Sequence, residues 1–140
     1  MTACETSLPT PIDSGHRFDA QRHWAASLQL AFEPRDGVTR LTRCRHTGPL
    51  RVQRPFHPER HARQGPAGAC HVYVLHPPGG LVSGDALSIA ATVANSAHAL
   101  LTTPAANKLY KADSQGVAWR QHTRLDVDDG GVLEWLPQET

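Results

Sequence analysis

A chain of 140 residues with a formal net charge of +1 and no basic run has room for one ordinary domain and no electrostatic footing for nucleic acid or an anionic membrane. Hydrophobic residues make up 39% and charged residues 19%, while eleven glycines and eleven prolines favour many short elements joined by turns. The most apolar stretch, ALSIAATVANSAHALL (residues 86–101), is interrupted by Asn95, Ser96 and His98 and is too short to span a bilayer.

Residues 1–21 lack the apolar run of a secretory signal, and their Pro, Ser and Thr content predicts a flexible tail ahead of the folded residues 22–140. Trp24, Ala26, Leu28, Leu30 and Phe32 then alternate with Ala25, Ser27, Gln29 and Ala31, the period of a half-buried strand. Trp24, Leu28 and Phe32 also recur every four residues, as on a helix. Pro34 and Asp36-Gly37 decide for a strand, because they predict a turn leading into a return strand at 38–41. Further strands are predicted at 50–53, 70–75, 87–93, 99–102, 117–127 and 132–136. Turn signals separate them at Gly48-Pro49, Gly65-Pro66, 77–80 and 128–131. The expectation is an all-β fold. One helical signal interrupts it, TTPAANKLYKA (residues 102–112), with Thr103 as N-cap and Pro104 as first helical residue, and predicts one short helical turn.

The sharpest corner is HPPGGLVSGD, His76 to Asp85. Gly79 and Gly84 have the spacing that opens a phosphate-binding loop, but Asp85 stands where that loop needs a lysine, and its charge would repel phosphates. Nine histidines and three cysteines raise the question of a metal. Cys70 and His71 point to opposite faces of a strand, and Pro58 separates His57 from His61, so no closed chelate is written here; solvated loop histidines are the plainer reading. Ser83 lacks the G-x-S-x-G elbow, and Cys70 reads as a small, inert core residue. Cys4, Cys44 and Cys70 form no C-x-x-C pair and no even framework, which fits a reduced, cytoplasmic setting. Asp85 either closes its turn through backbone amides or serves a function, and Lys108 is either a solvated cation or a working one. Glu134 shares a strand face with Val132 and Leu136, while Leu133 and Trp135 form the other. That strand is apolar and aromatic enough to suit an interface at Glu134 and Trp135.

Four blocks together, GPLRVQRPFHPE, CHVYVLHPPGGLVSGDALSI, ALLTTPAANKLYK and GGVLEWLPQET, resemble the urease accessory protein family UreD, called UreH in some organisms. The resemblance runs from about Trp24 to Thr140. It implies stacked short-strand sheets of β-helical character and a non-enzymatic scaffold that binds UreF, through it the GTPase UreG, and the urease apoprotein. It also implies that nickel passes through the scaffold to the urease active site, with no tightly bound cofactor. A conduit must hold its ion briefly, and scattered oxygen ligands suit that better than a closed Cys/His site. On the resemblance, Asp85 and Asn107 fall on the nickel route, with Asp85 exposed enough to meet a hydrated cation, and Lys108 supports the route by holding an acid or carbonyl beside it. The family is about twice this length, so residues 22–140 are expected to be the N-terminal part of a UreD-like β domain whose C-terminal half is absent. The alternative from another class is an all-β hydrolase or small-ligand module using Asp85 or Glu134 as general acid or base.

Overall fold

The computed structural model describes residues 4–6, 25–58, 67–77, 80–111 and 118–138. They form nine strands: β1 (Glu5–Thr6), β2 (Ala25–Arg35), β3 (Val38–Thr47), β4 (Arg51–Val52), β5 (Cys70–Leu75), β6 (Ala86–Val93), β7 (His98–Thr102), β8 (Arg120–Val127) and β9 (Val132–Leu136). One sheet has the order β1-β3-β2-β6-β8 and the other β4-β5-β7-β9. The all-β expectation holds. Among the described residues there is no helix, and none is therefore long and apolar enough to cross a membrane.

β2 and β3 form a hairpin whose two turn residues, Asp36 and Gly37, both have positive φ (53° and 76°), the conformation that matches the twist of paired antiparallel strands. Register then slips between Ala31 and Phe32, so that Ala31 faces Arg43 while Phe32 faces Leu41. Thr42 is the extra residue, and its hydroxyl donates to the Ala31 carbonyl at 3.3 Å. This bulge changes the side-chain parity of β3 and allows both Leu41 and Cys44 to face inward. The return strand that residues 38–41 enter continues to Thr47.

Beyond the hairpin the chain winds. β5, β7 and β9 lie parallel in one sheet, and β6 and β8 lie parallel beside β2 in the other, so the chain crosses between sheets at every step. This is the β-helical character expected of the sequence. The crossings 94–97 and 128–131 are short and stack: Asp128 N donates to Val93 O and Val132 N to Ala97 O, both at 2.9 Å. The crossings 76–85 and 103–119 are long and leave from the opposite end. The inward residues are those picked out by the period of two: Ala26, Leu28, Leu30, Phe32, Leu87, Ile89, Ala91 and Val93 from one sheet, and Cys70, Val72, Val74, Ala99 and Leu101 from the other. Thr39 is a fully buried polar residue, with Thr47 and Asp85 the other buried polar residues among those described. The Thr39 hydroxyl accepts from His98 N at 2.8 Å, and its N–H donates to Gly68 O at 2.8 Å, which fastens β3 to the facing layer.

Two expectations are corrected here. The predicted helical turn does not form over 103–111. Thr103 is engaged elsewhere, with its hydroxyl donating to Ala105 O and accepting from Gln138 N, so it caps nothing. Lys108 O accepts from Leu81 N at 2.8 Å and Tyr110 N donates to Leu81 O at 3.0 Å, so backbone groups that a helix would use internally are spent on a parallel bridge. The three cysteines are also not all free thiols: Cys4 and Cys44 are joined in a disulfide across 40 positions. The parallel register Glu5↔Arg45 places them opposite each other, a long-range neighbourhood that no short spacing reveals. Within residues 1–21 the structure describes only this tied piece. His61 and the Gly65-Pro66 turn lie outside the described residues.

Phe32 is the largest fully buried side chain. Phe32→Ala is expected to cost about 3–5 kcal/mol of unfolding free energy by urea titration, against less than about 1 kcal/mol for Leu125→Ala on the exposed strand β8.

Candidate functional site

The two long crossings meet. Gly80 lies so close to the second crossing that a Cβ there would stand 2.5 Å from Lys108 O and 2.8 Å from Tyr110 Cε2, and its φ of +139° is one that other residues rarely adopt. Beside it, the bridge Leu81↔Leu109 stitches the HPPGGLVSGD corner to the PAANKLYK segment. Gly80 therefore permits close backbone approach between the corner and the second crossing.

Asp85 ends the corner by holding it shut. Its Oδ2 accepts from Val82 N at 2.8 Å, its own N–H donates to Val82 O at 3.0 Å, and its carbonyl accepts from Arg120 N at 2.8 Å, tying the corner to β8. The side chain is buried, with the residue 8% exposed, in place of the exposed carboxylate expected from the sequence. A loop that must bury its own amides against a strand end takes the nearest anionic acceptor inward with it.

Alongside this junction lies an open cavity of about 710 Å³ between the two sheets. Its apolar walls are Leu50, Val74, Leu87, Ile89, Trp119 and Trp135. Its polar groups are His76, Asn107, Lys108, Gln121, Thr123 and Gln138. Of the sequence-predicted residues, Asn107, Lys108 and Trp135 come together here. Asp85 stands behind the lining, next to His76. Glu134 is elsewhere: it sits on the outer face of β9, where its Oε2 is 2.8 Å from His98 Nε2. Trp135 and Leu133 pack inward against the core, so the two faces of β9 divide as the alternation predicts.

His76 was missed as a site residue, although it opens the corner and precedes two prolines. Burial holds its pKa below the ordinary 6.5, with the Asp85 charge opposing the shift, so at neutral pH its imidazole is uncharged, and both ring nitrogens are buried. His57 is not a solvated loop histidine either: its Nε2 lies 2.8 Å from Thr39 O. Burial pushes the Cys70 thiol up to about 11, in keeping with an inert core residue. Among the described residues, no three His, Cys, Asp or Glu side chains gather as a metal-binding group. His76 and Asn107 are among the residues that line the cavity, with both His76 ring nitrogens buried, and neither Asp85 nor Glu134 lines it.

A family model described as UreD urease accessory protein matches residues 25–140. The chain belongs to the UreD family. It is 64% identical over 137 residues to "Urease accessory protein UreD 1" of Psychrobacter cryohalolentis, covering 94% of this chain and 44% of that protein. It is 67% identical over 131 residues to "Urease accessory protein UreD" of Chromohalobacter salexigens, covering 91% of this chain and 41% of that protein. The UreD protein of Marinobacter nauticus is 67% identical over 132 residues, 91% of this chain and 43% of its own length. The chain thus spans less than half the length of these UreD relatives.

Two measurements check the local assignments. Asp85→Ala removes the acceptor for Val82 N and is expected to cost about 1.5–3 kcal/mol in chemical denaturation, whereas Asp85→Asn keeps an acceptor oxygen and costs less. For His76, the unfolded chain takes up a proton near pH 6.5 while the folded chain resists until lower pH. The folded state therefore keeps this contribution above pH 6.5 and loses it as pH falls through the folded pKa. Replacement by His76→Leu is expected to flatten the stability–pH slope in that window.

Proposed function

We propose that this chain serves urease maturation as a non-enzymatic UreD-type scaffold in the cytoplasm. It joins UreF, and through it UreG, to the urease apoprotein and helps pass nickel to the urease active site. The observation that carries this reading is the family match over 25–140, which includes both crossings of the junction. Support for a route comes from the junction, where His76, Asn107 and Lys108 line a common cavity and Asp85 is fastened beside His76. Nickel here is cargo. Isolated imidazole and amide donors release an ion readily, whereas a closed site would retain it.

In this reading Asp85 acts from behind the lining, by setting the corner and by the field of its carboxylate, and Asn107 offers an oxygen ligand. Lys108 places a charge at the cavity while its carbonyl holds Leu81. The hydrolase alternative has less support, since neither of its candidate carboxylates, Asp85 and Glu134, faces the cavity. The outer face of β9 with Glu134, and the inward Trp135, remain candidates for partner contact.

The test is co-expression with the urease subunits, UreF and UreG. Asp85→Asn, which keeps the corner and removes the charge, is expected to lower urease nickel content severalfold while UreF is still retained. Unchanged nickel would assign Asp85 to the corner alone. Lys108→Ala is expected to reduce activation more than Lys111→Ala. Equal, negligible effects would remove Lys108 from the route.

A further inference from the structure

We propose that Cys4 and Cys44 form a reversible thiol–disulfide latch that holds the β1 segment on the edge of β3, with Cys4 as the point of exchange. β1 has only two residues, both exposed, and pairs in parallel with Arg45 and His46. Among the described residues, its other side-chain ties are the exposed pair of Glu5 Oε2 with Arg45 Nη2 at 3.1 Å and the exposed contact of Thr6 Oγ1 with His46 Nε2 at 3.0 Å. Exposed contacts of this kind contribute little, and a two-residue parallel strand is far shorter than strands that persist unaided. Among these described ties the covalent bond is the strongest.

The two sulfurs are unequally accessible. Cys44 is 2% exposed and belongs to the buried core, whereas Cys4 is half-buried and packs against that core from the sheet edge. A small-molecule thiolate therefore reaches the Cys4 sulfur first. It forms a mixed disulfide there, the Cys4–Cys44 bond breaks, and Cys44 leaves as a thiolate that takes a proton from water. A second small thiol displaces Cys4 from the mixed disulfide and departs with the first as a small-molecule disulfide. The sum is one protein disulfide plus two small thiols giving two protein thiols plus one small disulfide. Closing is the reverse, with the small disulfide as oxidant. In a cytoplasm rich in small thiols the latch is mostly open, and oxidation closes it. Opening frees the β3 edge at Arg45 and His46, and a free edge accepts another extended strand.

The whole chain is equilibrated with oxidised glutathione or with dithiothreitol, alkylated with iodoacetamide and read by peptide mass, with hydrogen exchange measured in parallel. After oxidised glutathione, neither Cys4 nor Cys44 is expected to be alkylated. After reduction both react, Cys4 faster by on the order of tenfold, and the edge-facing amides of Arg45–Thr47 exchange severalfold faster. Cys4→Ser is expected to show the fast exchange under both conditions; should that variant not fold, the two wild-type arms still decide. Free thiols at both positions after oxidised glutathione, alkylation of Cys44 as fast as Cys4, or a β3 edge whose exchange is indifferent to reduction would each overturn the latch.

Discussion

Parallel strands cannot be joined by a tight turn, and most of this architecture follows from that constraint. Once β2 and β6 pair in parallel, and β5 with β7, each connection has to leave one sheet and enter the other. The winding puts two short crossings at one end and two long ones at the other. The short crossings stack backbone to backbone. The long ones, 76–85 and 103–119, carry more chain than the span requires, and their described residues 80–85 and 103–111 include the corner and the segment that meets it. The candidate site is built from that surplus.

The same constraint explains why the site is held by backbone more than by side chains. Lys108 O and Tyr110 N are committed to Leu81, and Asp85 is committed to Val82 and Arg120. Side chains projecting from such a frame are positioned without needing contacts among themselves. Asn107 and Lys108 both line the cavity from a segment that forms no helical turn. The walls they face are the apolar inner surfaces of the two sheets, so a few polar groups dominate the chemistry of a largely apolar space.

Much of the fold was legible because strand burial has a period of two and leaves its mark locally. Ala26, Leu28, Leu30 and Phe32 announce their own face, as do Leu133 and Trp135, and Asp36-Gly37 announces its turn. The failures share one cause. Thr103 and Pro104 carry a sound local helix signal, but Gln138 and Leu81 compete for the same groups from far along the chain, and they win. Thr42 gives no local sign of the bulge that resets the faces of β3. The hydroxyl of Thr39 is spent on a residue 59 positions away, which no window of sequence contains.

Read alone, the sequence determined the all-β class, the inward and outward faces of β2 and β9, and the blocks that carry the UreD resemblance. These depend on side-chain type and near spacing, which are read directly from the chain. Tertiary structure alone decided that Asp85 turns inward, that Glu134 faces away from Asn107 and Lys108, that His76 joins the cavity, and that Cys4 meets Cys44. Each of these depends on which strands become neighbours. That choice is settled by the burial of whole sheet faces together, and no residue's immediate surroundings in the sequence encode it.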